Sequence, residues 1–163
     1  MAFSRGTRRG LEDFFAAAAV TWFGVGRLPF APGTWGSLAA LPFAWILAGT
    51  GGSVLLAGAV LAVFLIGWGA SAVHVRRVGV ADPSWVVIDE VAGQWLALIG
   101  APLDPLAYAV GFALFRAADI LKPWPAGWAD RSLKGGLGIM LDDLFAGAYA
   151  LIGLQAFLFW SNG

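Results

Sequence analysis

Long apolar stretches, separated by short polar segments, dominate the chain. Five can be delimited: Thr34–Thr50, Gly52–Val73, Trp85–Pro102, Pro105–Leu121 and Met140–Trp160. A helix that crosses the hydrocarbon core of a bilayer needs roughly 20 residues. The second and fifth stretches meet that length, whereas the other three are short or interrupted by proline. The pattern predicts an all-α, polytopic membrane helix bundle with about five spans, some short or re-entrant, in one domain over residues 1–163.

The first 23 residues differ from the rest of the chain. Arg5, Arg8 and Arg9 precede a short run of phenylalanine and alanine. A basic segment followed by an amphipathic one is typical of a helix that lies in the membrane interface, with its cations facing anionic headgroups. We therefore expect an interfacial helix from Leu11 to about Phe23.

Composition supports the membrane assignment. The hydrophobic fraction is 60%, the charged fraction 12% and the mean hydropathy +0.78, whereas a soluble domain averages about 25% charged residues. The absence of cysteine excludes disulfides and zinc–thiolate sites. With His74 as the single histidine, a histidine-rich metal site or a Ser-His-Asp triad is not expected.

The charged residues are distributed unevenly along the chain. All ten Lys and Arg lie in the N-terminal region, after the second apolar stretch, or around the end of the fourth: Arg5, Arg8, Arg9, Arg27, Arg76, Arg77, Arg116, Lys122, Arg131 and Lys134. Of the ten acidic residues, only Asp104 falls in an opposite turn. With five spans these segments share one side, which the positive-inside tendency makes cytoplasmic. Four polar blocks thus converge on one face, as an active site built from helix ends would require.

The first block suggests an anion site beside a helix start. Thr34 is a candidate N-cap, with Ser37 in the first turn. The amides and dipole at such a start favour an anion, to which Arg27 could add a charge-assisted contact. From this block alone, a simple helix cap with tight glycine packing is the favoured interpretation.

The second and third blocks carry paired charges. Asp89 and Glu90 interrupt an apolar run, and buried carboxylates near a bilayer need a partner. Because neighbouring helical positions point about 100° apart, both can face one point only if the site wraps around them. Arg116, Asp119 and Lys122 follow at i, i+3 spacing and so share one helix face. That face could hold phosphate and metal, or could be a self-neutralising surface network.

The fourth block combines a glycine loop with two adjacent carboxylates. The amides of Gly135 and Gly136 could approach a phosphate closely. Asp142 and Asp143 offer hard oxygen ligands of the kind that Mg²⁺ takes together with substrate phosphate. Asp142 could alternatively cap the last helix, but two adjacent caps are not expected.

Taken in order, the four blocks resemble the phosphatidylglycerophosphatase A family of bacterial membrane enzymes. The matching strings are GVGRLPFAPGTWGSLAALP, DPSWVVIDEVAGQWLAL, FRAADILKPWP and GGLGIMLDDLFAGAYA. The resemblance implies a Mg²⁺-dependent phosphatase that converts phosphatidylglycerophosphate to phosphatidylglycerol at the cytoplasmic face of the inner membrane. The acidic positions it implies are Asp89, Glu90, Asp119, Asp142 and Asp143, with Lys122 as the basic one. Ala117 and Ala118 depart from the family pattern, which suggests a bulkier residue beside Arg116 and Asp119. This difference affects packing rather than chemistry.

On this reading, Mg²⁺ would be held by Glu90, Asp142 and Asp143, with Asp119 as a further candidate ligand. The substrate phosphate would be bound by Arg27, Thr34, Ser37, Arg116, Lys122 and the amides of Gly135 and Gly136. Asp89 or Asp143 would either activate a water or attack phosphorus to form an acyl-phosphate. The alternatives are a phosphatase for another lipid phosphate and a non-enzymatic membrane transporter or scaffold.

Overall fold

A computed structural model describes residues 4–80 and 83–161. Over these ranges the chain is all-helical, which confirms the predicted class. The helices are α1 (Ser4–Val20), α2 (Pro32–Val78), α3 (Ile88–Ala97), α4 (Pro105–Leu121), α5 (Ala126–Ser132) and α6 (Gly136–Ser161). A single 3₁₀ turn, Val25–Arg27, lies between α1 and α2.

Helix α2 is a hairpin rather than one straight rod. Its backbone is broken at Gly52, where φ is 63° and ψ is −161°, a conformation that glycine adopts at little cost. A Cβ built on Gly36 would lie 2.8 Å from Cβ of Val87, and one on Gly67 would lie 3.2 Å from Cγ2 of Ile88. A straight helix would separate these glycines by roughly 46 Å, at about 1.5 Å per residue. The segments 32–51 and 53–78 therefore run antiparallel, which agrees with the first two predicted apolar stretches.

Helix α3 is short and forms the centre of the bundle. Its 10 residues extend roughly 15 Å at about 1.5 Å per residue, half the thickness of a hydrocarbon core. Most of its side chains are buried, and Val91 and Trp95 join the main core cluster with Leu56, Tyr108 and Leu154. The third apolar stretch thus contains a short helix, as its sequence suggested.

Close glycine contacts hold α3 against α6. A Cβ on Gly93 would lie 2.5 Å from the carbonyl oxygen of Asp143, and one on Gly147 would lie 2.5 Å from the carbonyl oxygen of Gly93. These distances leave no room for a side chain, so the two backbones touch. The crossing fixes the first turn of α3 beside the second turn of α6.

Over residues 32–80 and 83–161, the chain runs five times from one end of the bundle to the other. One end carries the starts of α2, α3 and α6 and the end of α4, whereas the other carries Gly52, residues 98–104 and the end of α6. By length and composition, α2 and α6 could cross a membrane, with mean hydropathies of 2.2 and 1.6 in their most apolar windows. The number of membrane crossings stays a prediction.

The N-terminal helix α1 packs beside the first of these ends. It begins and ends earlier than the predicted Leu11 to Phe23, and the side chains of Arg5, Arg8 and Arg9 lie outside the described part of the structure. The amide of Val87 donates to the carbonyl of Val20 at 2.8 Å, and Asp13 pairs with Arg77. These contacts connect α1 to the beginning of α3 and to the end of α2.

Candidate functional site

A polar cavity of about 510 Å³ opens where four helix ends meet. Its walls come from the start of α2, the start of α3, the end of α4, and the segment from α5 into α6. The charged side chains that line it are Asp89, Glu90, Arg116, Asp119, Lys122, Asp130, Arg131, Lys134, Asp142 and Asp143. The predicted convergence of the polar blocks is therefore present in the fold.

The carboxylates enter the cavity from two helix beginnings. Asp89 and Glu90 lie in the first turn of α3, where the helix dipole favours negative charge. Asp142 and Asp143 lie in the second turn of α6, because α6 begins at Gly136. The interpretation of Asp142 as a helix cap is therefore wrong.

Three carboxylates meet at one point. Asp89, Glu90 and Asp143 each offer one oxygen, and these oxygens lie within 4.8 Å of one another. The sequence predicted that Asp89 and Glu90 can face one point only if the site wraps around them. This arrangement is present, because Asp143 on α6 completes the cluster from the other side.

The carboxylate cluster fits a hard cation. Buried oxygens with no hydrogen-bond partner occur on Asp89, Glu90, Asp142 and Asp143: Oδ1, Oε2, Oδ1 and Oδ2, respectively. Buried polar atoms are normally paired, so four orphaned oxygens in one cavity need an explanation. Carboxylate oxygens are ligands that Mg²⁺ prefers. The oxygen-only donor set of Asp89, Glu90 and Asp143 fits such an ion.

The remaining acidic residues of the cavity already have cationic partners. Lys122 Nζ donates to Asp130 Oδ1 at 2.5 Å and to Asp142 Oδ2 at 2.7 Å. Arg116 Nη1 lies 2.6 Å from Asp119 Oδ2. These pairs place two cations at the cavity wall, next to the carboxylate cluster rather than within it.

The backbone holds Lys122 at the end of α4 in an unusual conformation. Lys122 caps the helix in the left-handed region, with φ of 45°, which costs free energy in a residue with a side chain. Burial alone would lower the pKa of Lys122, but its hydrogen bonds to Asp130 and Asp142 outweigh that effect and raise the pKa. The two carboxylates therefore hold Lys122 in place and favour its charged form.

The start of α2 closes the cavity by close backbone approach. A Cβ on Gly33 would collide with Oε1 of Glu90 and would lie 3.2 Å from Nη1 of Arg116. Ser37, one turn further on, donates to the carbonyl of Gly33 at 2.8 Å and lies 3.5 Å from Arg116 Nη1. Gly33 thus leaves space for the Glu90 carboxylate and the Arg116 guanidinium beside the start of α2.

Several predicted substrate contacts lie elsewhere. Helix α2 starts at Pro32 with Ala31 as its N-cap, so the N-cap prediction for Thr34 is wrong, and this residue does not line the cavity. Gly135 lines it with φ of 75°. Gly136 instead packs against the carbonyl of Trp68 and the backbone of Ala72. Ser37 is buried behind Arg116, and Arg27 lines a second, adjoining cavity.

The sequence reasoning missed three charged residues of the cavity. Asp130, Arg131 and Lys134 lie on or just after α5, a seven-residue helix between α4 and α6. Their sequence neighbourhood was visible, since they directly precede the glycine loop. What the pattern did not show is that so short a helix turns the chain back toward the end of α4.

Comparisons with known proteins identify the family of the chain. The family model for phosphatidylglycerophosphatase A matches residues 18–158, which include all four polar blocks. The phosphatidylglycerophosphatase A of Escherichia coli is 39% identical over 130 residues, covering 77% of this chain and 73% of that protein. The phosphatidylglycerophosphatase A of Haemophilus influenzae is 38% identical over 139 residues, or 85% of each chain.

A third relative carries another name. A Bacteroides thetaiotaomicron protein, provisionally named a phosphatidylinositol-3-phosphatase, is 39% identical over 153 residues, covering 86% of this chain and 91% of that protein. No solved structure matches the chain. Because the family model covers most of the sequence and two named relatives are identical to it at more than a third of the aligned positions, the chain belongs to the phosphatidylglycerophosphatase A family of phosphatases.

Proposed function

We propose that the protein is a membrane phosphatase that hydrolyses phosphatidylglycerophosphate to phosphatidylglycerol and inorganic phosphate, a step of phospholipid biosynthesis. The observation that carries the proposal is the cluster of Asp89, Glu90 and Asp143 beside the cations Arg116 and Lys122. Carboxylates for a metal and cations for a phosphate are the parts that phosphoryl transfer uses. Family membership supports the same reaction.

The cavity's charge supports a divalent cation, which we propose to be Mg²⁺. Six acidic side chains line the cavity against four basic ones, so a phosphate would add to an excess of negative charge. Asp89, Glu90 and Asp143 would hold the ion, since Asp119 and Asp142 are engaged by Arg116 and Lys122. When bound, such an ion polarises the phosphate and stabilises charge that develops on its oxygens.

The cations of the wall would bind the phosphate. Arg116 and Lys122 are fixed by Asp119, Asp130 and Asp142, so their donors are positioned before substrate arrives. Preorganised donors of this kind stabilise a transition state without reorganisation during the reaction. Asp142 and Asp119 then act as positioning residues for the two cations.

The chain offers two routes for breaking the phosphorus–oxygen bond. In one, Asp89 or Asp143 accepts a proton from water while the water oxygen attacks phosphorus. The bond from phosphorus to the glycerol oxygen breaks, and that oxygen takes up the proton as phosphatidylglycerol leaves. In the other, the same carboxylate attacks phosphorus, and the glycerol oxygen leaves and takes a proton from solvent. Water then hydrolyses the acyl-phosphate and restores the carboxylate. Both routes consume one water and release one phosphate.

We further propose that the bundle spans the bacterial inner membrane about five times, with the cavity facing the cytoplasm. Exposed apolar side chains on the segment 53–78 support contact with lipid, among them Val54, Leu61, Leu65 and Ile66. The cations of the described part of the chain lie at the cavity end, in accord with the positive-inside tendency.

The test is a phosphate-release assay on purified protein with phosphatidylglycerophosphate in mixed micelles. We expect release in Mg²⁺, its loss in excess chelator and its return when Mg²⁺ is restored. No release in Mg²⁺ would refute the function, and full release in chelator would refute the metal.

A second substrate class is supported by one observation. The Bacteroides thetaiotaomicron relative is named for phosphatidylinositol 3-phosphate and is as similar to this chain as the other two. The same assay with that lipid decides between the classes, because the preferred substrate has the higher kcat/KM.

A further inference from the structure

A second cavity adjoins the candidate active site. It measures about 620 Å³ and shares Pro32 and Ser84 with the carboxylate cavity. Its lining combines polar and apolar side chains: Arg27, His74, Trp85, Leu28 and Phe30, with Gly26. Two cavities with common walls can hold two parts of a single ligand.

The loop before α2 holds Arg27 at this second cavity. Gly26 packs so closely on the carbonyl of Trp85 that a Cβ there would collide with it. Phe30 and Ala31 adopt left-handed conformations, with φ of 61° and 46°. Such conformations cost free energy in residues with a side chain, and they cluster at functional sites. The close contact at Gly26 and these two conformations together define the backbone path of the loop.

The cavity offers hydrogen-bond donors to an anion. Arg27 is exposed, and no carboxylate among the described side chains pairs with it. His74 Nε2 accepts a hydrogen bond from Trp85 Nε1 at 2.9 Å. An imidazole that accepts at Nε2 carries its proton on Nδ1. The ring is thus set in the tautomer that offers a second donor.

The rim of this cavity is apolar. Leu28 and Phe30 are 45% and 89% exposed, and both line the opening. Exposed aromatic and aliphatic side chains next to a cation suit the junction between a phospholipid headgroup and its acyl chains.

We propose that this second cavity binds the phosphodiester of the lipid substrate, with Arg27 as its main contact. The inference rests on the proposed function, because phosphatidylglycerophosphate carries a phosphomonoester and a phosphodiester on one three-carbon glycerol. The monoester then enters the carboxylate cavity while the diester lies between Arg27 and His74. Arg27 thereby selects lipids that carry both phosphates, and it does not contact the reacting phosphorus.

The experiment compares two lipids in mixed micelles. Phosphatidic acid has the acyl chains and the monoester but no phosphodiester, and its inhibition constant can be measured whether or not it is hydrolysed. Arg27→Ala should lower kcat/KM for phosphatidylglycerophosphate at least about 10-fold, as expected for a lost charge-assisted contact. The inhibition constant of phosphatidic acid should change less than about 2-fold. Arg27→Lys should keep part of the activity, because it keeps the charge.

Arg76→Ala is the matched control, because Arg76 is an exposed cation at the same end of the bundle and lies outside both cavities. It should leave both constants unchanged. If Arg27→Ala weakens the inhibition by phosphatidic acid as much as it lowers kcat/KM for phosphatidylglycerophosphate, the phosphodiester contact is refuted. Arg27 would then contact the membrane surface in general or the phosphomonoester. An unchanged kcat/KM would refute any role in substrate binding. A wild-type protein that releases no phosphate would instead refute the proposed function, and the inference with it.

Discussion

Replacing Gly93 by alanine tests whether the crossing of α3 and α6 positions the carboxylates. Gly93 belongs to α3, which also carries Asp89 and Glu90. It lies where α3 contacts α6, the helix that carries Asp143. The added Cβ would lie 2.5 Å from the carbonyl oxygen of Asp143 and 2.5 Å from Cε2 of Phe115. The substitution thus acts on the spacing of the cluster without changing any charge.

The size of the effect follows from contact distances. Carbon–oxygen contacts normally measure about 3.3 Å or more, so a separation of 2.5 Å must grow by about 0.8 Å. Overpacking costs about 1–3 kcal/mol, and replacing a helical glycine returns about 0.5–1 kcal/mol. We expect a modest loss of stability, but a displacement near 1 Å can lower activity about 100-fold.

The assay measures phosphate release and thermal unfolding of Gly93→Ala in the same detergent. Gly58→Ala is the matched control, because Gly58 is exposed in α2 and its added Cβ would have no atom within 4 Å. The control should keep its activity and should unfold at the same temperature as the wild type or slightly above it. Wild-type activity in folded Gly93→Ala would refute the idea that this crossing sets the cluster geometry.

Further predictions concern charge and topology. Asp143→Asn should lower phosphate release at least about 100-fold, while Asp104→Asn at the opposite end should not, since asparagine caps a helix as well as aspartate; equal rates would remove Asp143 from the site. Lys122→Ala should also lose at least about 100-fold, and a wild-type rate would show that this cation does not bind the phosphate. Because the chain has no cysteine, single cysteines at Ser53 and Ser132 can be labelled selectively, and labelling from opposite sides is expected; labelling from the same side would refute the five-span topology.

Much of the architecture could be predicted from the sequence. The lengths of the apolar stretches and the positions of glycine and proline between them indicate where helices begin and end, without knowledge of distant contacts. Gly52 marked the break between two apolar stretches, and the structure places the hairpin there. The end of α4 at Leu121 follows from Pro123, which disfavours a helical conformation in the preceding residue.

Long-range geometry could not be predicted in the same way. The start of α6 at Gly136 and the return of α5 toward Lys122 depend on packing between segments distant in sequence. For the same reason the sequence grouped Arg27 with the reacting phosphate, although the fold gives it a cavity of its own. Two residues that lie in the same stretch of sequence therefore need not line the same cavity.

The two adjacent aspartates of α6 contact different partners, although the sequence suggested that both bind the metal. Neighbouring helical positions point about 100° apart, so Asp142 and Asp143 face different partners. Asp142 accepts from Lys122 at 2.7 Å, whereas Asp143 joins Asp89 and Glu90. A metal on Asp143 therefore leaves Asp142 free to hold the lysine, and the two functions need not compete. Assigning both aspartates to the metal would leave Lys122 with only Asp130, an exposed partner on a seven-residue helix. The proposed division between a metal ligand at Asp143 and a lysine partner at Asp142 thus follows from which helix each carboxylate faces.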